Sequence, residues 1–487
     1  MAGIAPARPL PAWALPLRIL MPLVLLCAAG AAALLVAQMG LWSLLLPVYG
    51  LAAIGAIALP KQTAVVVLFA VIAFEPGAID FTGPVADALY QFPPGWENAF
   101  GVTTSPVEVV AVLIALSLSL RGLQGVHSLP PLPLVAQGVL LAIALGLVYG
   151  LARGGPSNLA YTESRGLFVG VAVFTIAARL GGANTSTLAR IVVAATAILA
   201  VTVLLRYLLL IRPGTSGVPA EFQFAHDNSL VLGVGLVVGA TRLLTVSGLQ
   251  ARVGLVLYCL LVMASMIVMG RRAATLVLMV GGLSMGGLLL PKRPVLVISL
   301  GVPVLLAFAA YLGAYWNKEY GAAAQPARAV RSQIDPNLRD ESSDTYRTVE
   351  KANVIETIRV NRVFGVGFGR PFIQFQGLPY LQDYWPLQLF TPHQSILWLW
   401  LKMGWFGISV FLGFAIVALK RCVEYMRSAD TTTPEWSTAA VLFTTILMFL
   451  VYATVDLAFA GGRQLLPFAV ATGLIFALPR LAHEGEG

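Results

Sequence analysis

The chain has 487 residues, of which 58% are hydrophobic and 11% charged, and its mean hydropathy is +0.84. Soluble globular domains carry nearer a quarter charged residues, so that class is excluded; apolar runs of about 17–25 residues recur, the length a hydrocarbon core of about 30 Å requires. The formal charge of +9 would suggest nucleic acid in a soluble protein, but here basic loops on one side of a bilayer account for it first.

The pattern predicts an all-α polytopic membrane protein with about 12–14 transmembrane helices. Candidate spans fall at 17–38, 41–59, 62–75, 105–120, 131–151, 165–181, 187–211, 228–246, 251–270, 273–290, 294–315, 393–418, 436–456 and 461–480. Arg8 and Arg18 precede the first apolar run, which resembles a signal peptide but is long enough to read as an anchor. The pair of spans around Arg271-Arg272 reads as two helices or one broken one. Cys27, Cys259 and Cys422 all lie in or beside apolar runs, which supports neither a disulfide framework nor a cysteine metal site.

With the N-terminus in the cytoplasm, every second loop is basic: Lys61, Arg121, Arg179, Arg190, Arg242, Arg252, Lys292, Arg293, Lys420, Arg421, Arg427 and Arg480 fall inside. That phase places the longest polar segment, Asn317–Pro392, outside. It divides the chain into N-terminal helices over 1–160 with an outer loop near 76–104, and central helices over 161–316. A large outer loop over 317–392, C-terminal helices over 393–480 and a tail over 481–487 complete the division.

Arg153, Arg165, Arg212, Arg271, Arg272 and Arg463 break this rule on the outer side, and none of them is a lysine. Arginine holds phosphate bidentately and stays charged, so such a set suggests an outward anion site; snorkelling or pairing with Glu163, Glu221 or Asp227 is the alternative. His226, Asp227 and Asn228 open a span, where Asp or Asn also serves as a simple N-cap. In Ser343–Asn361, Tyr346, Val349, Ala352 or Asn353, Ile355 and Ile358 recur at helical spacing, with Arg347, Glu350, Lys351, Glu356 and Arg359 on other faces. This predicts an amphipathic helix lying on the membrane or capping a cavity. The glycines of NRVFGVGFGR then read as a phosphate loop or a plain turn. His393 follows at the junction of the polar segment with a long apolar run, where a titratable imidazole suits chemistry at a membrane surface and a helix cap is the simpler reading.

Together Arg347, Gly365-Val366-Gly367, His393-Gln394-Ser395 and Gly404-Trp405-Phe406-Gly407 resemble the bacterial O-antigen ligase and O-antigen polymerase superfamily. Arg272 with Leu276, or Arg271 in its place, is similar to that family's short Arg-x-x-x-Leu motif. Asn228 and Glu163-Ser164-Arg165 match further features less specifically. The resemblance implies a metal-independent glycosyltransferase of the bacterial inner membrane, needing no cofactor and active on its periplasmic face. It would take a glycan from an undecaprenyl diphosphate carrier and pass it to a sugar hydroxyl in O-antigen, capsule or exopolysaccharide synthesis. On lipid A-core it would be a ligase, on a growing chain a polymerase. Assembly proteins are possible further partners.

The chemistry such a reaction needs agrees with the residues. Diphosphate is a good leaving group, so it needs preorganised cations more than a strong acid; Arg271, Arg272, Arg165 and Arg347 would supply them. The acceptor hydroxyl needs a base, and His393 suits that role; alternatively His393 holds phosphate while Glu163 or Asp227 is the base. Asn228, Ser395 and Gly367 complete the expected substrate-binding set. Lys402, deep in the 393–418 span, is expected to meet a carboxylate such as Asp456 or to line a groove for the lipid carrier. A transporter or flippase for lipid-linked saccharides would also want outward arginines, with charges along mid-membrane helices as at Arg206 and Lys402. A protein O-oligosaccharyltransferase is a further branch of the same chemistry.

Overall fold

The structure is a computed structural model describing residues 45–77, 82–92, 104–123, 134–180, 185–211, 224–318, 321–336, 338–383, 385–459 and 461–478. Its regular elements among these residues are helical: α1 (Leu45–Ala58), α2 (Pro60–Ala73), α3 (Gly83–Tyr90), α4 (Pro106–Leu123), α5 (Leu134–Ala152), α6 (Ser157–Leu180), α7 (Thr185–Arg206), α8 (Asn228–Thr245), α9 (Leu249–Val268), α10 (Arg272–Leu289), α11 (Pro294–Tyr315), α12 (Gln325–Arg331), α13 (Leu338–Val360), α14 (Ser395–Arg427), α15 (Pro434–Tyr452) and α16 (Gly462–Ala477). A π-helical turn, Tyr207–Ile211, continues α7, and a 3₁₀ turn, Ala322–Ala324, precedes α12. Nine helices among the described residues are long and apolar enough to cross a membrane, and α1, α2 and α16 are shorter apolar helices. The chain is therefore an all-α, multi-pass membrane protein. The expected anchor at 17–38, with Cys27, and Arg212 and Glu221 lie outside the described residues.

Most expected spans coincide with a helix to within a few residues. Two departures matter for the site. Helix α6 begins at Ser157 instead of 165, which brings Glu163 and Arg165 inside it. The Arg271-Arg272 region is two separate helices, parted where Gly270 takes φ 66°.

Helix α16 lies along α6 and also touches α8, α14 and α15, so it stands inside the bundle. Phenylalanines fill this centre: Phe449 stacks on Phe468 at 4.7 Å between centroids, and Phe414 on Phe476 at 5.6 Å. By contrast α11 buries none of its residues; it is uniformly apolar, and hydrocarbon satisfies that surface as well as protein would.

One end of the bundle carries a cap made of α12, α13 and the strap 365–394. The expected amphipathic helix is there as α13, but its inward face differs from the one the apolar pattern indicates. Glu350, Asn353, Val354, Thr357 and Ile358 are buried, while Val349, Ala352 and Ile355 are only half-buried. The reason is that the cap core is partly polar. Asn353 pairs with the backbone of Gln376 in both directions at 2.8 Å, and Thr357 Oγ1 accepts from Ile373 N at 2.9 Å. Their side chains thus do for the extended strap what a neighbouring strand would do.

The two glycine motifs meet in one joint. Helix α14, about 50 Å long at 1.5 Å per residue, breaks at Gly404 (φ 67°). There Trp405 N donates to Arg362 O and Val363 O, while Val366 N donates to Leu401 O at 2.7 Å. A Cβ on Gly404 would lie 2.0 Å from Val363 O, so only glycine permits this approach.

Candidate active site

His393 sits where the cap meets the bundle, two residues before α14. Its Nδ1 is 3.0 Å from Glu350 Oε2, and its backbone N–H donates to the same oxygen at 2.9 Å. Glu350 is 2% exposed and the imidazole 21%. An ionised carboxylate only accepts, so this bond places the neutral ring's proton on Nδ1 and leaves Nε2 as a free lone pair. Trp385 and Tyr346 hold the ring edge-on, at centroid distances of 5.1 and 5.9 Å. Burial, the largest influence, and the nearby Glu350 raise the Tyr346 hydroxyl to about 12, with the Gln388 hydrogen bond opposing, so it stays a neutral donor.

A second histidine stands in a similar arrangement. His226 Nδ1 lies 3.2 Å from Asp456 Oδ2, and Arg271 Nη1 donates to its Nε2 at 2.9 Å. Because arginine only donates, Nε2 accepts in this contact and Nδ1 is left toward Asp456. Burial alone would raise the Asp456 carboxyl, but the His226 contact, the Leu457 N–H and the nearby Arg347 bring it down to about 2. Arg271 also donates to Phe224 O, while its buried Nε has no hydrogen-bond partner among the described residues. Arg347, one helical turn before Glu350 on α13, is within electrostatic reach of both Arg271 and Asp456 and makes no described hydrogen bond or ion pair. The cap and the α8, α9–α10 and α15–α16 ends thereby bring His393, Glu350, Arg347, Arg271, His226 and Asp456 to one region.

The other expected site residues are placed differently. Arg272 pairs with Asp344 of α13 at 3.2 Å, across a partly exposed contact. Arg165 lies 3.4 Å from Glu108, at the mouth of a cavity of about 400 Å³ between α2, α4, α6, α7 and α16. His226, Asp227 and Arg463 share that mouth, and the walls below are apolar down to Leu180. Fifteen residues of α6 separate Arg165 from Leu180, roughly 22 Å at a helical rise.

Asn228 is fully buried away from that mouth. It donates to Glu75 and accepts from Arg463 Nη1 at 2.8 Å; Glu75 also holds Arg206, and Arg463 reaches Asp227 at 2.9 Å. Two acids and two arginines thus neutralise one another around one amide, tying α2, α7, α8 and α16 together. Arg463 therefore breaks the positive-inside pattern for a structural reason, and the same network accounts for the deep charge of Arg206. Ser395 is buried as well: its hydroxyl donates to Asp456 O at 2.8 Å and accepts from Ala458 N at 2.7 Å, which clamps the start of α14 to the turn bearing Asp456.

Glu163 and Lys402 correct the sequence reading most directly. They form a fully buried ion pair at 2.7 Å, so Lys402 does meet a carboxylate, but that of Glu163 in place of Asp456, and it lines no lipid groove. Glu163 also accepts from Gly369 N and Lys402 donates to Arg370 O, both at 2.5 Å. The pair is a clasp on the glycine strap. Gly367 is part of the same joint: a Cβ there would lie 2.3 Å from Gly150 Cα, so the turn packs against α5 and is no phosphate cradle. Glu163→Ala is expected to cost roughly 3–5 kcal/mol of stability because it leaves a buried ammonium unpaired. Thermal unfolding in detergent measures this; the Glu163→Gln, Lys402→Met double variant should recover most of the loss, and equal instability of the two would refute the clasp.

Residues missed in the sequence are Glu350, hidden among the charges of α13, and Asp456, considered only for Lys402. The one available signal for Glu350 was its position three after Arg347, which shares a helix face.

A comparison with curated proteins finds no match. Residues 255–412 match the model of the family described as O-antigen ligase. The matched stretch runs from α9 through the cap into α14, and so contains Arg271, Arg272, Arg347, Glu350 and His393. The chain is a multi-pass membrane protein in which residues 255–412, about a third of its length, are similar to the O-antigen ligase family.

Proposed function

We propose that the protein moves glycan from an undecaprenyl diphosphate carrier onto a sugar hydroxyl at the periplasmic face of a bacterial inner membrane, in building a surface polysaccharide. The observation that carries this reading is the His393–Glu350 pair, which leaves Nε2 to act, with Arg347 on the same helix as Glu350 and within electrostatic reach of Arg271, whose buried Nε has no hydrogen-bond partner among the described residues. In the step proposed, His393 Nε2 takes the acceptor hydroxyl proton as that oxygen bonds to the donor's anomeric carbon. The bond from that carbon to the carrier phosphate breaks, and its electron pair leaves with the diphosphate. Glu350 steadies the imidazolium that forms, in the manner of a base and its orienting carboxylate. Arg347 and Arg271 offset the charge developing on the leaving group.

The cavity below Arg165 supports a lipid-borne donor, because a polar mouth holding two arginines over some 22 Å of apolar wall suits a polar head group joined to a polyprenyl chain. The transferase reading is favoured over a transporter because the deep cations Arg206 and Lys402 are each neutralised in a buried pair. A gel of surface polysaccharide from a deletion strain tests the function. A single repeat unit on the acceptor is the result for a polymerase, and long carrier-linked chains with none transferred are the result for a ligase. An unchanged polysaccharide pattern rejects both.

A further inference from the structure

Next to Tyr346, which stands edge-on to His393, lies a cleft of about 710 Å³ lined among the described residues by the cap alone. The Glu341–Val349 stretch of α13 forms one wall and the 377–381 segment of the strap forms the other. Its size falls in the roughly 300–1,000 Å³ range of small-molecule sites. The cleft is braced from beneath by Gln388, which is buried and donates to Tyr346 Oη (3.2 Å) and Pro379 O (2.6 Å) while accepting from Leu381 N (2.9 Å). One amide therefore fixes both walls in register.

We propose that this cleft is the acceptor subsite and takes an uncharged glycan chain, an inference that rests on the transferase reading above. Three features point there. Tyr346 belongs to the cleft and also lies edge-on to His393, so a sugar seated in the cleft has a direct approach to the imidazole. The lining carries the hydroxyls of Ser342, Ser343, Thr345 and Tyr346 beside the aliphatic surfaces of Val349 and Leu378. Sugars present that same mixture, with hydroxyls at the rim of each ring and C–H groups on its faces. Finally, among the described residues no arginine or lysine lines the cleft and Glu341 does, which repels a diphosphate and admits a neutral chain. Donor and acceptor then reach the site from opposite sides, the donor from the apolar cavity and the acceptor from the cap. This requires no exchange of one for the other at a shared entrance.

Gly377 allows a clean test. A Cβ built there meets no atom within 4 Å, and its φ is not left-handed, so Gly377→Trp fills the cleft without strain in the backbone. The assay uses the full-length protein in lipid nanodiscs, with carrier-linked glycan extracted from a deletion strain as donor and acid-released surface glycan as acceptor. Gly377→Trp is expected to raise the acceptor KM at least about ten-fold, the equivalent of losing one or two sugar hydrogen bonds, with the donor KM unchanged. An unchanged acceptor KM overturns the proposal. A second measurement needs no turnover: Thr345→Cys is labelled with a membrane-impermeant maleimide, and the released glycan should protect it. Absence of protection also overturns the assignment. If the wild-type protein transfers nothing yet protection is seen, the glycan cleft stands and the transferase reading fails.

Discussion

His393→Ala should lower the rate of glycan transfer by roughly 10²–10⁴-fold, the usual contribution of a positioned base, while leaving protein level and thermal stability close to wild type. Stability should hold because the imidazole is partly exposed and because Glu350, although buried, keeps its bond from the residue 393 backbone N–H in the variant. The loss should fall on kcat, since the proton moves only as the acceptor oxygen attacks. Glu350→Gln preserves shape but lets the amide donate toward Nδ1, which favours the tautomer with its proton on Nε2. That variant should also lose kcat with little change in either KM, a split that a merely structural role for Glu350 would not produce. Full activity of His393→Ala would remove this residue from the mechanism and leave His226, the other histidine at the site, as the group to test.

The bundle was legible in the sequence because hydrocarbon imposes length and composition on each span, and those are properties of one segment at a time. What stayed hidden are pairings between segments. Lys402 and Glu163 lie far apart in the chain, and hydropathy registers each only as an isolated cost inside an apolar run. Glu350 was obscured because α13 buries a face containing Glu350, Asn353 and Thr357, which inverts the usual reading of an amphipathic helix. That face is stable because the partner is an extended strap with free backbone groups, and a strap of that kind leaves no periodic trace in sequence. The GVGFG turn and the glycine at 404 stood out as motifs, yet only their contact shows that each exists to admit the other.

Arg347→Ala is the second substitution expected to have a large effect, and it reverses the order of importance that spacing alone assigned to the arginines. From the sequence, Arg272 is the better match to the short family motif. In the structure Arg272 is paired with Asp344 at 3.2 Å, its side chain 32% exposed and its partner's 40%. Such an exposed pair is worth only about 0–1 kcal/mol, so Arg272→Lys should change donor KM by no more than about five-fold. Arg347 makes no described ion pair, faces Asp456 and Arg271, and sits one turn from the His393 partner Glu350. A cation so placed is available to the diphosphate, and removing it should reduce kcat/KM by about 10²–10³-fold, as for other preorganised charge-stabilising donors. Arg347→Lys should recover only part of this, since a single ammonium cannot grip two phosphate oxygens in a plane. Measuring donor KM and kcat for the three variants side by side decides between the two arginines. If Arg272→Lys loses as much as Arg347→Ala, the diphosphate lies over the start of α10, the Asp344 pair opens to receive it, and Arg347 serves the cap instead of the leaving group.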